Sequence, residues 1–140
     1  MYYRELAEVY EKLESTSKRL EKTKIISDLL SDSDCVEIIV KLLQGRVFPA
    51  YDSTNLGVAS KLVLKAIVVS SGWKSSDVEK LWQEKGDLGD VAESVIAGKK
   101  QDTLFSKKLE VEKVHETLKK LPVQEGAGSV DSKIRLISEL

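Results

Sequence analysis

One cysteine, one histidine, two prolines and eight glycines are all that 140 residues hold of those types. Cys35 alone allows no intramolecular disulfide and no cysteine-based zinc site, and it suits a reducing compartment. His115 has no second histidine to work with, which disfavours Ser-His-Asp and Cys-His chemistry. Scarce proline and glycine leave long stretches without breakers, favouring helices over a many-turned β-sandwich. Charge of one sign is missing too. Lysine and arginine total 22 against 23 Asp and Glu, a formal net charge of -1, so the bulk basic excess typical of DNA-binding modules is absent. The uncharged stretch from Ala66 to Trp73 is too short to span a bilayer, and Met1-Tyr2-Tyr3-Arg4-Glu5 opens no signal peptide. Neither G-x-x-x-x-G-K-[ST] nor G-x-G-x-x-G occurs. What is present, 41% hydrophobic and 32% charged residues, is a globular mixture, and the length suits one ordinary domain or at most two very small ones.

Apolar spacing predicts an all-α chain of about seven or eight short helices. Leu6, Val9, Tyr10 and Leu13 make a first amphipathic helix over Tyr2 to Glu14. Ser15-Thr16-Ser17 interrupts it, and Ser17 or a neighbour is a candidate cap for a second helix carrying Leu20, Ile25, Ile26, Leu29 and Leu30. Ser31-Asp32-Ser33-Asp34 offers caps for a third segment, Cys35 to Leu43, whose β-branched residues also suit a strand; Gly45 is a fitting left-handed stop. Arg46 to Asn55 reads as a loop, and Leu56 to Ser71 as another buried element with the same ambiguity. Ser76-Asp77-Val78-Glu79 has the capping-box pattern, and Asp87 is a cap for a helix through Val91, Val95 and Ile96 to Gly98. Lys99 to Lys108 breaks the periodicity. Val111, Val114, Leu118 and Leu121 define a further helix stopped by Pro122; Ser129 is expected to cap the last one, with Ile134, Ile137 and Leu140 apolar.

Four blocks in order resemble the start of archaeal ATP-dependent DNA ligases. They are Tyr3-Arg4-Glu5-Leu6-Ala7 with Lys12 to Leu20; Leu42-Leu43-Gln44-Gly45-Arg46-Val47-Phe48-Pro49 with Leu56-Gly57-Val58 and Lys61-Leu62; Lys85-Gly86-Asp87-Leu88-Gly89; and Gly128-Ser129-Val130. The resemblance implies the first half of an all-α DNA-binding domain over residues 1–140, with adenylylation and OB-fold domains elsewhere in such enzymes. No Lys-x-Asp-Gly nucleophile motif occurs, so these residues are expected to be inactive alone. ATP and magnesium are cofactors expected of the full-length enzyme, and replication and repair in the cytoplasm, at the nucleoid, are its implied setting. The partners implied are nicked duplex DNA, the PCNA sliding clamp and the catalytic domains, with no membrane.

Phosphate recognition needs free N–H groups at helix starts, with Lys or Arg nearby to displace counterions. Two junctions meet that need: Thr16-Ser17-Lys18-Arg19, and Gly128-Ser129 with Ser132 and Lys133 a turn further on. Lys18, Arg19, Lys22 and Lys24 bunch around a single acid, Glu21, so a neutral total can hide a basic edge. Arg46 could reach phosphate or bridge to a carboxylate. Gly45 is read as a C-cap and Gly57 as a packing or turn glycine. A second surface lies at 99–108, where Gln101, Leu104 and Phe105 resemble an abbreviated clamp-binding box between lysines. The other reading of Leu104 and Phe105 is a hydrophobic staple folded back on the helices.

Overall fold

The apolar stripe of the first segment forms α1, Tyr3–Glu14, whose Leu6 is wholly buried. Its first turn is closed by the Glu5 carboxylate, which accepts the Tyr2 N–H at 2.8 Å. The computed structural model describes residues 1–98 and 108–140, and among them lie eight helices and no strand longer than an isolated bridge. They are α1, α2 (Arg19–Ser31), α3 (Val36–Leu43), α4 (Ser60–Ser71), α5 (Ser75–Lys85), α6 (Leu88–Ala97), α7 (Val111–Lys120) and α8 (Ser129–Ser138). Both segments with strand-like composition, α3 and α4, are helical. The Leu56 element is shorter than its apolar pattern, beginning only at Ser60.

The helices divide into two compact units. One holds Met1–Thr54 and the segment ending at Lys119, and so contains α1, α2, α3 and α7; the other runs from Asn55 through α4, α5 and α6 and returns with Lys120–Leu140. In the first unit Leu6, Leu29, Ile39 and Val111 form the core, with Val9, Tyr10, Ile38 and Leu42 packed around it. Its N-terminal strand-like residues are fastened to the approach to α7. Tyr3 N–H donates to Leu109 O at 2.7 Å, and Val111 N–H to Met1 O at 3.1 Å. In the second unit Leu64, Ile67, Val78, Val91 and Val95 form the core, with Leu81, Trp82 and Leu88 against it.

Several expected caps lie elsewhere. Lys18, the neighbour of Ser17, is the N-cap of α2; Cys35 stands at the N-cap of α3, and the Ser33 hydroxyl is turned back to the Leu29 carbonyl. Lys74 precedes α5, so Ser76 sits inside the first turn rather than capping it. Gly128 caps α8, and Ser129 is its first helical residue. Leu20 is 84% exposed: five residues before Ile25, it falls off the stripe that a 3.6-residue period puts inward. Asp87 does cap α6, accepting Gly89 N–H at 2.8 Å and Asp90 N–H at 3.1 Å. Burial pushes the half-buried Cys35 thiol up, with Glu112 adding to it.

Candidate nucleic-acid interface

Short hydroxyl residues between α1 and α2 fold into a local bracket rather than a simple cap. Thr16 Oγ1 accepts the Lys18 N–H at 3.2 Å and donates its own hydrogen to the Glu21 carboxylate, which also takes the Lys18 ammonium at 3.0 Å. The Thr16 hydroxyl, then Lys18, holds the Glu21 carboxyl below the usual range. The positive end of α2 therefore already faces an anion of its own. That ion pair is exposed, and exposed pairs hold weakly. Ser17 and Arg19 are exposed, and Arg19 has no ion-pair partner among the described residues.

Arg46, in the same unit, is set by the way α3 ends. Gly45 takes φ +67°, and the N–H groups of Gly45 and Arg46 donate to Leu42 O and Lys41 O, each at 2.9 Å. That is the double hydrogen bond of a left-handed helix stop. The Arg46 side chain is exposed and, among the described residues, bridges to no carboxylate. The next residue, Val47, is buried, and its carbonyl lies 2.9 Å from Nε2 of the buried His115.

In the second unit two sequence blocks meet at the start of α8. Lys133 Nζ donates to the Gly57 carbonyl at 3.0 Å, and Gly57 N–H donates to Asn55 Oδ1 at 2.8 Å. Gly57 has φ +64°, and a Cβ there would stand 2.9 Å from that ammonium. Lys133, expected to face phosphate, instead spends one of its three donors on its own backbone. Gly128 is left-handed at φ +83°, Ser132 N–H donates to its carbonyl at 3.0 Å, and Ser129 and Ser132 are half-buried. Asp131 in the first turn of α8 repels an anion at that end.

The start of α4, in this same unit, is a helix start that the phosphate argument from sequence does not include. Its N-cap is Ala59, which offers no capping side chain, its first turn contains no acid, and Ser60 and Lys61 are exposed. Of the starts of α2, α4 and α8 it is the one without an acid. The available signal was Lys61 itself, four residues past Gly57 with no Asp or Glu between. Gln101, Leu104 and Phe105 lie outside the described residues, so the clamp-like box has no structural description.

The sequence lacks Lys-x-Asp-Gly, and among the described residues no three His, Cys, Asp or Glu side chains converge. A family model described as DNA ligase N terminus matches residues 2–140. The chain belongs to this family. Among its relatives, the DNA ligase of Cenarchaeum symbiosum is 40% identical over all of this chain and 24% of its own length. The DNA ligase of Methanothermobacter thermautotrophicus is 41% identical over all of this chain and 26% of its own length. That of Thermococcus fumicolans is 34% identical over all of it, and 25% of its own length. This member of the DNA ligase N-terminus family thus spans about a quarter of those relatives. No helix among the described residues is long and apolar enough to cross a membrane.

Proposed function

We propose that this chain binds nicked duplex DNA through its phosphates, without sequence readout, as the N-terminal region of an ATP-dependent DNA ligase of replication and repair. Catalysis, with ATP and magnesium, is assigned to other parts of such an enzyme. The observation that carries the reading is membership of the DNA ligase N-terminus family across residues 2–140. The exposed cations Lys18, Arg19, Arg46 and Lys61 at helix ends supply the means. At the first junction Ser17 supplies a hydroxyl donor, while Thr16, whose hydrogen goes to Glu21, shapes the turn. Gly128 and Ser129 allow close backbone approach at the second, where Ser132 and Lys133 shape the surface.

A gel-shift series tests this, with nicked and intact duplexes at rising salt. Binding should be clear at low salt and weaken steeply at moderate salt, because each neutralised phosphate releases counterions. No binding at low salt, either by this chain or by a version continuing past Leu140, would refute the assignment. The finer partner reading, docking of Gln101, Leu104 and Phe105 on the PCNA sliding clamp, rests on the sequence pattern. Phe105→Ala should abolish co-elution with the clamp while leaving the helical circular dichroism intact, and clamp docking should tolerate salt that dissolves the DNA complex.

A further inference from the structure

We infer that His115 is a positioning residue for Arg46, fixing the direction from which that guanidinium reaches the DNA backbone; the inference rests on the phosphate role proposed for Arg46. His115 sits on α7 at 6% exposure, far in sequence from the turn it touches, and its Nε2 lies 2.9 Å from the Val47 carbonyl. A carbonyl oxygen only accepts, so the facing ring nitrogen carries the hydrogen and the Nε2–H form is selected. Val47 is itself buried, at 8% exposure, so without this donor its carbonyl would be an unmet acceptor away from water.

The consequence falls on the residue before it. Arg46 lies between two ties: its own N–H is bonded to Lys41 O at 2.9 Å at the end of α3, and the carbonyl of the next residue, Val47, is pinned to α7. Gly45, at φ +67°, is the conformational break that lets the chain leave α3 at this angle. The Arg46 side chain between the two ties is exposed and pairs with no carboxylate among the described residues. A flexible side chain on a fixed backbone loses less freedom on binding than one on a swinging loop. An apolar residue at position 115 could fill the same space but could not hold the Val47 carbonyl.

The test compares His115→Gln, which keeps a side-chain N–H, with His115→Met, which keeps bulk alone. Both are made in the wild-type and Arg46→Ala backgrounds and titrated with nicked duplex at low salt. Circular dichroism monitors the fold. His115→Met and Arg46→Ala are each expected to weaken binding about three- to tenfold, the range for one charge-assisted contact. His115→Gln should bind nearly as wild type, and His115→Met should add nothing once Arg46 is alanine. Multiplicative losses, or unchanged affinity in a folded His115→Met, overturn the inference. Should methionine unfold the chain, ring nitrogen NMR of the wild type decides, since a hydrogen on Nδ1 in place of Nε2 removes the tie. If the wild-type chain binds no DNA, the proposed function fails separately. The tie is then judged on the Arg46 amide, whose hydrogen exchange must accelerate with methionine but not with glutamine.

Discussion

Thr16 joins the backbone of Lys18 to the carboxylate of Glu21, so a single hydroxyl organises the start of α2. Because Glu21 titrates below its ordinary 4.5 when folded, its contribution is complete above that value and is lost as the pH falls through the lower, folded one. Fraying of α2, followed by the Arg19 to Thr23 amide resonances, should therefore set in below pH 4.5. Thr16→Val should return the Glu21 carboxyl towards 4.5. Tyr10 gives the opposite sign at the alkaline end. Burial, with the Tyr3 phenol adding to it, pushes Tyr10 up to about 12 from 10.0. Its neutral form is favoured by folding, so its contribution is full below pH 10 and disappears as pH climbs towards 12. Phenolate absorbance should show Tyr10 ionising late, with loss of helicity accompanying it. Gly57→Ala should lower stability by about 1–2 kcal/mol in thermal unfolding, mainly through the positive φ, since the Lys133 ammonium can swing away from the new methyl.

Among the helices, the end signals differed greatly in how readable they were. Gly45, Gly86 and Asp87 behave as their residue types dictate: left-handed stops for the two glycines, and an oxygen accepting two first-turn amides for the aspartate. Asp87→Ala should accordingly cost about 1 kcal/mol in a denaturant titration. Leu6→Ala should cost about 2–5 kcal/mol, because α1 presents that side chain wholly buried to Leu29, Ile39 and Val111. Serine was the misleading signal. Ser17, Ser76 and Ser129 all stand within a residue or two of true helix starts, yet none is the cap. Serine hydroxyls are equally good partners for nearby carbonyls, as Ser33 is for Leu29, and sequence does not reveal which option tertiary packing leaves open. The β-branched runs in α3 and α4 show the same limit: isolated, they suit a strand, and only burial between neighbouring helices settles them as helical.

At the scale of the whole chain, the near-zero net charge is a sum over surfaces that differ. Arg19, Arg46 and Lys61 are exposed at helix ends with no ion-pair partner among the described residues, while acids such as Glu8, Glu21 and Glu37 are drawn into local pairs with Arg4, Lys18 and Lys41. If DNA binds as proposed, replacing Lys18 and Arg19 together by alanine should reduce the slope of log affinity against log salt by about one to two, measured by gel shift. The helical class and the family were legible because periodicity and ordered motif blocks are local properties of sequence. The Lys133–Gly57 and His115–Val47 contacts were not, since each joins residues far apart in the chain and neither partner announces the other.

The backbone fastening of Met1 and Tyr3 to Leu109 and Val111 has a consequence for how the protein is made. The buried cluster shared by α4, α5 and α6 is contiguous in sequence and can form once α6 leaves the ribosome, with α8 covering α4 later. The unit containing α1 cannot: its core needs Val111, so Leu6, Leu29 and Ile39 emerge first and wait unsealed through the synthesis of three intervening helices. In a stalled-chain experiment, protease protection of α1 should appear only after Val111 has cleared the exit tunnel, later than protection of α5.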